Sequence, residues 1–168
     1  MRLILVGGPA SGKTTVGQLL AEAWQCPFVD TDHLIAINAG MSIPEIFAQQ
    51  GESGFREQET EALKLALQTD SCVLATGGGI IKKPENRALL KQELQVVYLE
   101  VSVATQLLRT EGDTSRPLLL GQDRQAILEH LFAERDSRYR EVATLVVDAN
   151  QEASHVIAEI NHTLAKRT

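Results

Sequence analysis

The feature that most constrains this chain is a glycine-rich stretch near its N-terminus, residues 7–14, which reads Gly-Gly-Pro-Ala-Ser-Gly-Lys-Thr. It fits G-x-x-x-x-G-K-[ST], the pattern of a loop whose backbone N–H groups surround the phosphates of a nucleotide. An apolar run, residues 3–6, precedes it and helix-spaced apolar residues follow it, which is the order that such a loop requires. Lys13 adds a cation for the outer phosphates, and Thr14 adds a hydroxyl group for Mg²⁺. The stretch predicts nucleotide binding without identifying what receives a phosphoryl group.

Composition narrows the class of protein. With 168 residues, 43% of them hydrophobic, the chain is long enough for one well-buried core, so we expect a single domain over residues 1–168. The net charge of −6 and the lack of a long basic run argue against a nucleic-acid partner. Cys26 and Cys72 are too few and too far apart for a disulfide framework or a zinc site. No apolar stretch approaches membrane-spanning length, and we therefore expect a cytoplasmic protein without membrane contact.

Two more predicted strands end in residues suited to a ligand site. Asp30 and Asp32 follow one short apolar run, and three glycines, residues 77–79, follow another. The carboxyl ends of parallel strands share one edge of the sheet, so these residues should face the same crevice as the phosphate loop. Asp32 is either a ligand group or an ordinary helix cap. The glycines either let a ligand lie against bare backbone or form a flexible turn.

Two segments between predicted strands could cover such a crevice. Residues 32–62 contain three predicted helices, of which the first is closed by Gly40, the second is ended by Gly51 and the third carries Arg56. Insertions in this place commonly cover a substrate. Residues 110–123 show no sustained periodicity and have Arg116 in their middle. They are predicted to form a lid that closes over phosphate, the alternative being a surface loop.

The long helix that Asp123 is predicted to open carries a charge where an apolar residue is expected. Its apolar stripe includes Leu128 and Phe132 and continues through Arg135 to Tyr139. Arginine is almost never buried without a partner, so the position of Arg135 implies an anion. That anion is either a ligand or a glutamate of the protein itself.

The order of the elements predicts the fold class. Five predicted strands alternate with helices after the phosphate loop, which is typical of an α/β protein with a three-layer α/β/α sandwich and a parallel sheet. Periodicity alone does not give the substrate.

Five motifs that follow the phosphate loop resemble those of the shikimate kinases. In chain order they are Asp30-Thr31-Asp32, Gly54-Phe55-Arg56, Thr76-Gly77-Gly78-Gly79, Arg116-Pro117-Leu118-Leu119, and Arg135 with Tyr139. The resemblance spans roughly residues 4–148. It implies a P-loop kinase fold with sheet order 2-3-1-4-5 and transfer of the γ-phosphoryl group of ATP to the 3-hydroxyl of shikimate, in aromatic amino acid (chorismate) biosynthesis.

The same resemblance implies roles for particular residues. Those that contact shikimate would be Asp32, Arg56, Gly78 and Arg135, with the two arginines holding the substrate carboxylate. Those that contact ATP would be Ala10, Ser11, Gly12, Lys13, Thr14, Thr15, Arg109, Arg116 and Gln151. Asp32 would take the proton of the attacking hydroxyl, while Lys13, Arg116 and Mg²⁺ spread the charge of the transition state. Thr14 would bind Mg²⁺ directly and Asp30 through water. Ser154 departs from the family pattern, since a proline often completes the adenine pocket there.

Two other functions fit part of the pattern. A small-molecule kinase such as a gluconokinase would share the phosphate loop but lack the combination of Asp32, Arg56 and the triple glycine. A nucleotide-binding module without turnover would have lost catalytic positions, whereas Lys13, Asp32 and Arg116 are all present. ATP and shikimate are the expected partners, and a monomer is the expected state.

Overall fold

Short apolar runs form the strands, and the computed structural model describes residues 1–113 and 123–167. The strands are β1 (Arg2–Val6), β2 (Phe28–Asp30), β3 (Cys72–Ala75), β4 (Val96–Glu100) and β5 (Leu145–Asp148). The described helices are α1 (Lys13–Ala23), α2 (Thr31–Ala39), α3 (Ile43–Ala66), α4 (Pro84–Lys91), α5 (Val103–Arg109), α6 (Arg124–Val142) and α7 (Ala153–Ala165). Strands and helices alternate as the sequence predicts, with the helices α2 and α3 between β2 and β3 and the described helices α5 and α6 between β4 and β5.

The strands form one parallel sheet in the order β2-β3-β1-β4-β5, which confirms the order that the family resemblance implies. Strand β1 lies in the centre, and Ile4 aligns with Leu74 of β3 on one side and with Val96 of β4 on the other. All strands point the same way. The loops after β1, β2 and β3 therefore leave the same edge of the sheet, where α/β proteins bind ligands.

Helices cover both faces of the sheet and bury an apolar core on each, which makes three layers. The core under α1 and α7 includes Leu3, Leu5, Val16, Leu20, Val73, Val97, Leu99, Val147, Val156 and Ile160. The core under α3, α4 and α6 includes Ile4, Val6, Leu63, Leu74, Leu90, Val96, Tyr98, Tyr139 and Val142. A smaller cluster, Ile35, Ile46, Phe55 and Ala62, holds α2 against α3.

Helix α3 is broken at Gly51, where φ is 68° and ψ is −177°. This left-handed φ is open to glycine at little cost, and it ends the first helical part as the sequence predicts. The second part carries Arg56 toward the edge of the sheet where the strands end.

The predicted apolar stripe of α6 is only partly correct. Leu128, Arg135 and Tyr139 are buried, but Phe132 is 38% exposed. Phe132 lies three residues before Arg135, which places it about 60° away around the helix and at the margin of the packed stripe. Among the described residues, no helix combines the length and the apolar character that crossing a bilayer requires.

Candidate active site

The phosphate loop begins directly after β1 and ends in the first turn of α1. Ala10 and Gly12 both adopt left-handed backbone conformations, with φ of 57° and 89°. These two positions turn the chain so that α1 starts at Lys13. The unpaired N–H groups of the first turn of a helix attract anions, so the loop is shaped to receive phosphate.

The ammonium group of Lys13 lies over this loop. Its Nζ donates to the carbonyl oxygens of Gly7, at 2.8 Å, and Gly8, at 2.9 Å, and to Oγ of Ser11 at 3.3 Å. These contacts hold the cation against the loop, and that it binds the outer phosphates of a nucleotide stays a prediction of the loop pattern.

Each glycine that follows β3 leaves room for a charged side chain from another element. A Cβ atom on Gly77 would lie 2.8 Å from Oδ1 of Asp32, and one on Gly79 would lie 2.2 Å from Nη1 of Arg56. A Cβ atom on Gly78 would lie 3.3 Å from Nη1 of Arg135. The glycines therefore let three charged side chains approach the backbone closely, which a flexible turn alone does not explain.

Asp30 and Asp32 differ in what they contact. Asp30 is the N-cap of α2, and its Oδ1 accepts from the backbone N–H of Asp32 at 2.9 Å. Asp32 is therefore not the helix cap, and its own Oδ1 is buried without a hydrogen-bond donor among the described residues. Burial and the negative charge of Asp30 raise the pKa of Asp32, against the opposing charges of Lys13 and Arg56. This is an environment in which a carboxylate can accept a proton.

Arg56 and Arg135 approach the glycines from α3 and α6. Nη1 of Arg56 donates to Oε1 of Glu59 at 2.8 Å, and its Nε lies 3.4 Å from Oε1 of Glu52. Arg135 is 6% exposed, and its Nε has no hydrogen-bond acceptor in the described part of the chain. A buried guanidinium with a bare N–H group indicates a missing anion.

Tyr139 connects Arg135 to the glycine segment. Its hydroxyl group donates to the carbonyl oxygen of Gly78 at 2.5 Å, and burial raises its pKa to about 12. Its ring stacks on that of Tyr98 with centroids 5.0 Å apart. Tyr139 therefore stays protonated and holds the Gly78 backbone in place.

Arg109 joins the phosphate loop to the end of β5. Its Nη1 donates to the carbonyl oxygen of Ala10 at 2.9 Å, and its Nη2 donates to that of Ala149 at 2.7 Å. Nearby, Nε2 of Gln151 donates to the carbonyl oxygen of Asp148 at 2.9 Å and to Glu159 at 3.0 Å. These contacts place Arg109 at the rim of the loop, at the far end from Arg56.

One cleft of about 680 Å³ contains almost the whole predicted site. The predicted residues that line it are Ala10, Ser11, Gly12, Lys13, Thr14, Thr15, Asp30, Asp32, Arg56, Gly78, Arg109 and Arg135. Its apolar wall consists of Ile43, Pro44, Phe47 and Phe55. Gln151 is not among the lining residues. Arg116, with most of the predicted lid, lies outside the described residues.

Sequence reasoning missed Glu59, which also lines the cleft. It is 1% exposed and forms the ion pair with Arg56. Two signals in the sequence were available: Glu59 follows Arg56 by three residues, a spacing at which helical side chains meet, and it precedes the buried pair Ala62 and Leu63 by three and four.

The cleft also offers oxygen ligands for a divalent cation. Thr14 and Asp30 both line it, and hydroxyl and carboxylate oxygens are the donors that Mg²⁺ prefers. Within residues 1–113 and 123–167, no group of three or more His, Cys, Asp or Glu side chains could enclose a metal ion. The donor set fits a Mg²⁺ ion that is bound mainly through phosphates and water.

Comparison with known proteins gives a consistent result. The family model for shikimate kinase matches residues 9–165. The shikimate kinase of Marinomonas sp. (strain MWYL1) is 48% identical over 158 residues, covering 93% of this chain and 87% of that protein. The solved structure of shikimate kinase from Acinetobacter baumannii in complex with shikimate has a TM-score of 0.95 and 42% identity, covering 99% of this chain and 94% of that one. A gluconokinase from Sinorhizobium meliloti 1021 has a TM-score of 0.64 at 21% identity, over 98% and 91% of the two chains, and so shares only the fold.

Proposed function

The chain belongs to the shikimate kinase family, and from that membership we propose how its residues carry out the reaction. It is an ATP-dependent kinase whose substrates are ATP and shikimate. The observation that carries the residue assignment is the meeting of three features in one cleft: the phosphate loop with Lys13, the buried carboxylate of Asp32, and the two arginines, Arg56 and Arg135. The reaction we assign is transfer of the γ-phosphoryl group to the 3-hydroxyl of shikimate, a step toward chorismate.

The substrate carboxylate binds between Arg56 and Arg135. Guanidinium groups bind carboxylates through two parallel hydrogen bonds, which fix both position and orientation. The bare Nε of buried Arg135 supports this assignment, because the protein itself supplies no acceptor there among its described residues. The backbone N–H of Gly78 completes the substrate contacts.

Asp32 accepts the proton of the attacking hydroxyl group. Its bare Oδ1 and its raised pKa support this role. A general base has to be ionised before the reaction and must then bind the proton firmly enough to remove it from the hydroxyl group. Lys13 lies on the other side of the reacting group and binds the outer phosphates. The protein therefore acts mainly by positioning and by matching charge.

The ATP site extends from the phosphate loop to Arg109. Residues 10–15 bind the phosphates through their backbone N–H groups, Arg109 stacks on adenine, and Gln151 lies beside it. Thr14, directly, and Asp30, through a water molecule, would hold a Mg²⁺ ion, which would supply positive charge to the phosphates.

We also propose the domain organisation, the oligomeric state and the cellular location. Residues 32–62 form the substrate-binding insertion of a single domain, and residues 110–123 form the lid that brings Arg116 to the phosphates. The protein works as a monomer in the cytoplasm, without nucleic acid or membrane.

A coupled ADP-release assay tests the function. We expect turnover with shikimate and MgATP, and little or none with quinate, gluconate or nucleoside monophosphates. Turnover with gluconate or a nucleoside monophosphate, and none with shikimate, would overturn the assignment.

A further inference from the structure

The carboxylate of Glu59 has one oxygen that its contact with Arg56 does not use. Its side chain is 1% exposed. Oε1 accepts the hydrogen bond from Arg56, but Oε2 has no hydrogen-bond donor within the described residues. A buried carboxylate with one bare oxygen is costly as an anion and has a free position for a proton.

A second carboxylate faces the same place. The position of a Cβ atom on Gly77 would lie 2.8 Å from Oδ1 of Asp32 and 3.0 Å from Oε2 of Glu59, and both of these oxygens lack a donor. The two bare oxygens therefore border the same space, the one that a Gly77 side chain would fill, and lie at most 5.8 Å apart, the sum of 2.8 and 3.0 Å. The other charged groups that act on Glu59 are Arg56 on its own helix and Arg135 on α6.

These charges are nearly balanced before the substrate arrives. Burial raises the pKa of Glu59, and the negative charge of Asp32 adds to this rise. The positive charges of Arg56 and Arg135 oppose it. A substrate carboxylate bound to the two arginines adds a third negative charge beside two positive ones. Its charge opposes the stabilisation that both guanidinium groups give to ionised Glu59.

We propose that Glu59 takes up one proton from solvent when the substrate carboxylate binds to Arg56 and Arg135, so that Asp32 remains ionised for the reaction. The proton goes to Oε2 and returns to solvent when the product leaves. Glu59 is a positioning residue, which acts on the substrate through the arginines and on the base through charge. The inference rests on the proposed function, because it needs a substrate carboxylate at the two arginines.

The proton goes to Glu59 rather than to Asp32 because their surroundings differ. Burial and the charge of Asp30 raise the pKa of Asp32 and Lys13 opposes this rise, whereas Lys13 is not among the groups that act on Glu59. The whole Glu59 residue is buried, whereas Asp32 as a residue is half-buried although its Oδ1 atom is buried. A negative charge on Asp32 therefore costs less free energy than one on Glu59, and the reaction requires an ionised Asp32 as its base.

Proton uptake makes shikimate binding depend on pH. A group whose pKa rises on binding favours the complex at low pH. That advantage is lost as pH rises from the pKa of Glu59 in the free protein to its pKa in the complex. In that window the Kd for shikimate should increase about tenfold per pH unit.

Titration calorimetry in buffers of different ionisation enthalpy measures the number of protons taken up. We expect close to one proton per shikimate within the window for the unmodified protein, and a loss of that uptake in Glu59→Gln, whose amide resembles the protonated acid. The Kd of Glu59→Gln should vary far less with pH. Glu52→Gln is the matched control, because Glu52 also contacts Arg56 but is exposed, and Lys82 and Arg56 lower its pKa. It should keep the uptake.

Infrared difference spectra on shikimate binding give a measurement that needs no variant. The C=O band of a protonated carboxyl group should appear in the unmodified protein. Shikimate binding with no proton uptake and no such band, or equal uptake in Glu59→Gln, would overturn the inference while leaving the kinase assignment intact. Absence of any shikimate binding would instead overturn the proposed function.

Discussion

Replacing Gly79 by alanine should separate substrate binding from folding. The new Cβ atom would lie 2.2 Å from Nη1 of Arg56 and 2.6 Å from its Cζ and Nη2, whereas ordinary contacts lie at 3.4–4 Å. The guanidinium group must therefore retreat by at least 1.2 Å, the difference between 3.4 and 2.2 Å. Gly79 does not have a left-handed φ, so alanine introduces no backbone strain there.

Gly79→Ala should weaken the use of shikimate rather than the stability of the fold. A shift of more than 1 Å takes a hydrogen bond outside its normal range of length. A charged hydrogen bond contributes about 1.5–3 kcal/mol, so kcat/KM for shikimate should fall by about tenfold to 150-fold, mostly through KM. The displaced atoms are the end of a flexible side chain, and the free energy of unfolding should change by no more than about 1 kcal/mol.

Steady-state kinetics for both substrates and thermal unfolding measure these effects. The KM for ATP should stay nearly constant. Gly78→Ala is the matched control, since its Cβ atom would lie 3.3 Å from Nη1 of Arg135 and needs an adjustment of only a few tenths of an ångström. Its effect on KM should be smaller.

A double-mutant cycle identifies the residue through which Gly79→Ala acts. Arg56→Lys removes the planar guanidinium, so adding Gly79→Ala to it should cost much less than in the unmodified protein. Full additivity of the two effects, or an unchanged KM for shikimate in Gly79→Ala, would refute the reasoning.

Three further predictions concern the charged residues of the cleft. Lys13→Ala should fold normally yet lose nearly all kcat, because it removes a charge that acts on the transition state; near-normal kcat in this variant would contradict the role of the loop. Asp32→Asn should abolish turnover and raise Tm by about 2–4 °C for each 1 kcal/mol of stability gained. A carboxyl group with a raised pKa destabilises the fold when it is ionised, and this cost disappears as pH falls. A lowered Tm of Asp32→Asn in a calorimeter would count against this prediction. Arg135→Lys should raise the KM for shikimate but not for ATP, and the affinity for an uncharged shikimate analogue should hardly change. If the variant lost only stability, Arg135 would not bind the carboxylate.

Local pattern was sufficient for most of the fold. Short apolar runs predicted the five strands, and a capping residue predicted where the long helix α6 begins, at Asp123. These features depend on neighbours within about four residues along the chain, so they can be read without tertiary structure. The order of strands in the sheet came from resemblance to a family, since periodicity does not tell which strands are adjacent.

The sequence by itself also determined much of the site. The phosphate loop predicted a nucleotide site, and an arginine on an otherwise apolar stripe marked Arg135, which the structure buries beside the cleft with a bare Nε. The partners themselves were decided only by tertiary structure. The pairing of Glu59 with Arg56, and the close approach of charged side chains to residues 77–79, depend on how α2, α3 and α6 pack against the end of β3. Such distances arise from the packing of whole helices, in which contacts between residues far apart in sequence determine which oxygen atoms are left without a donor.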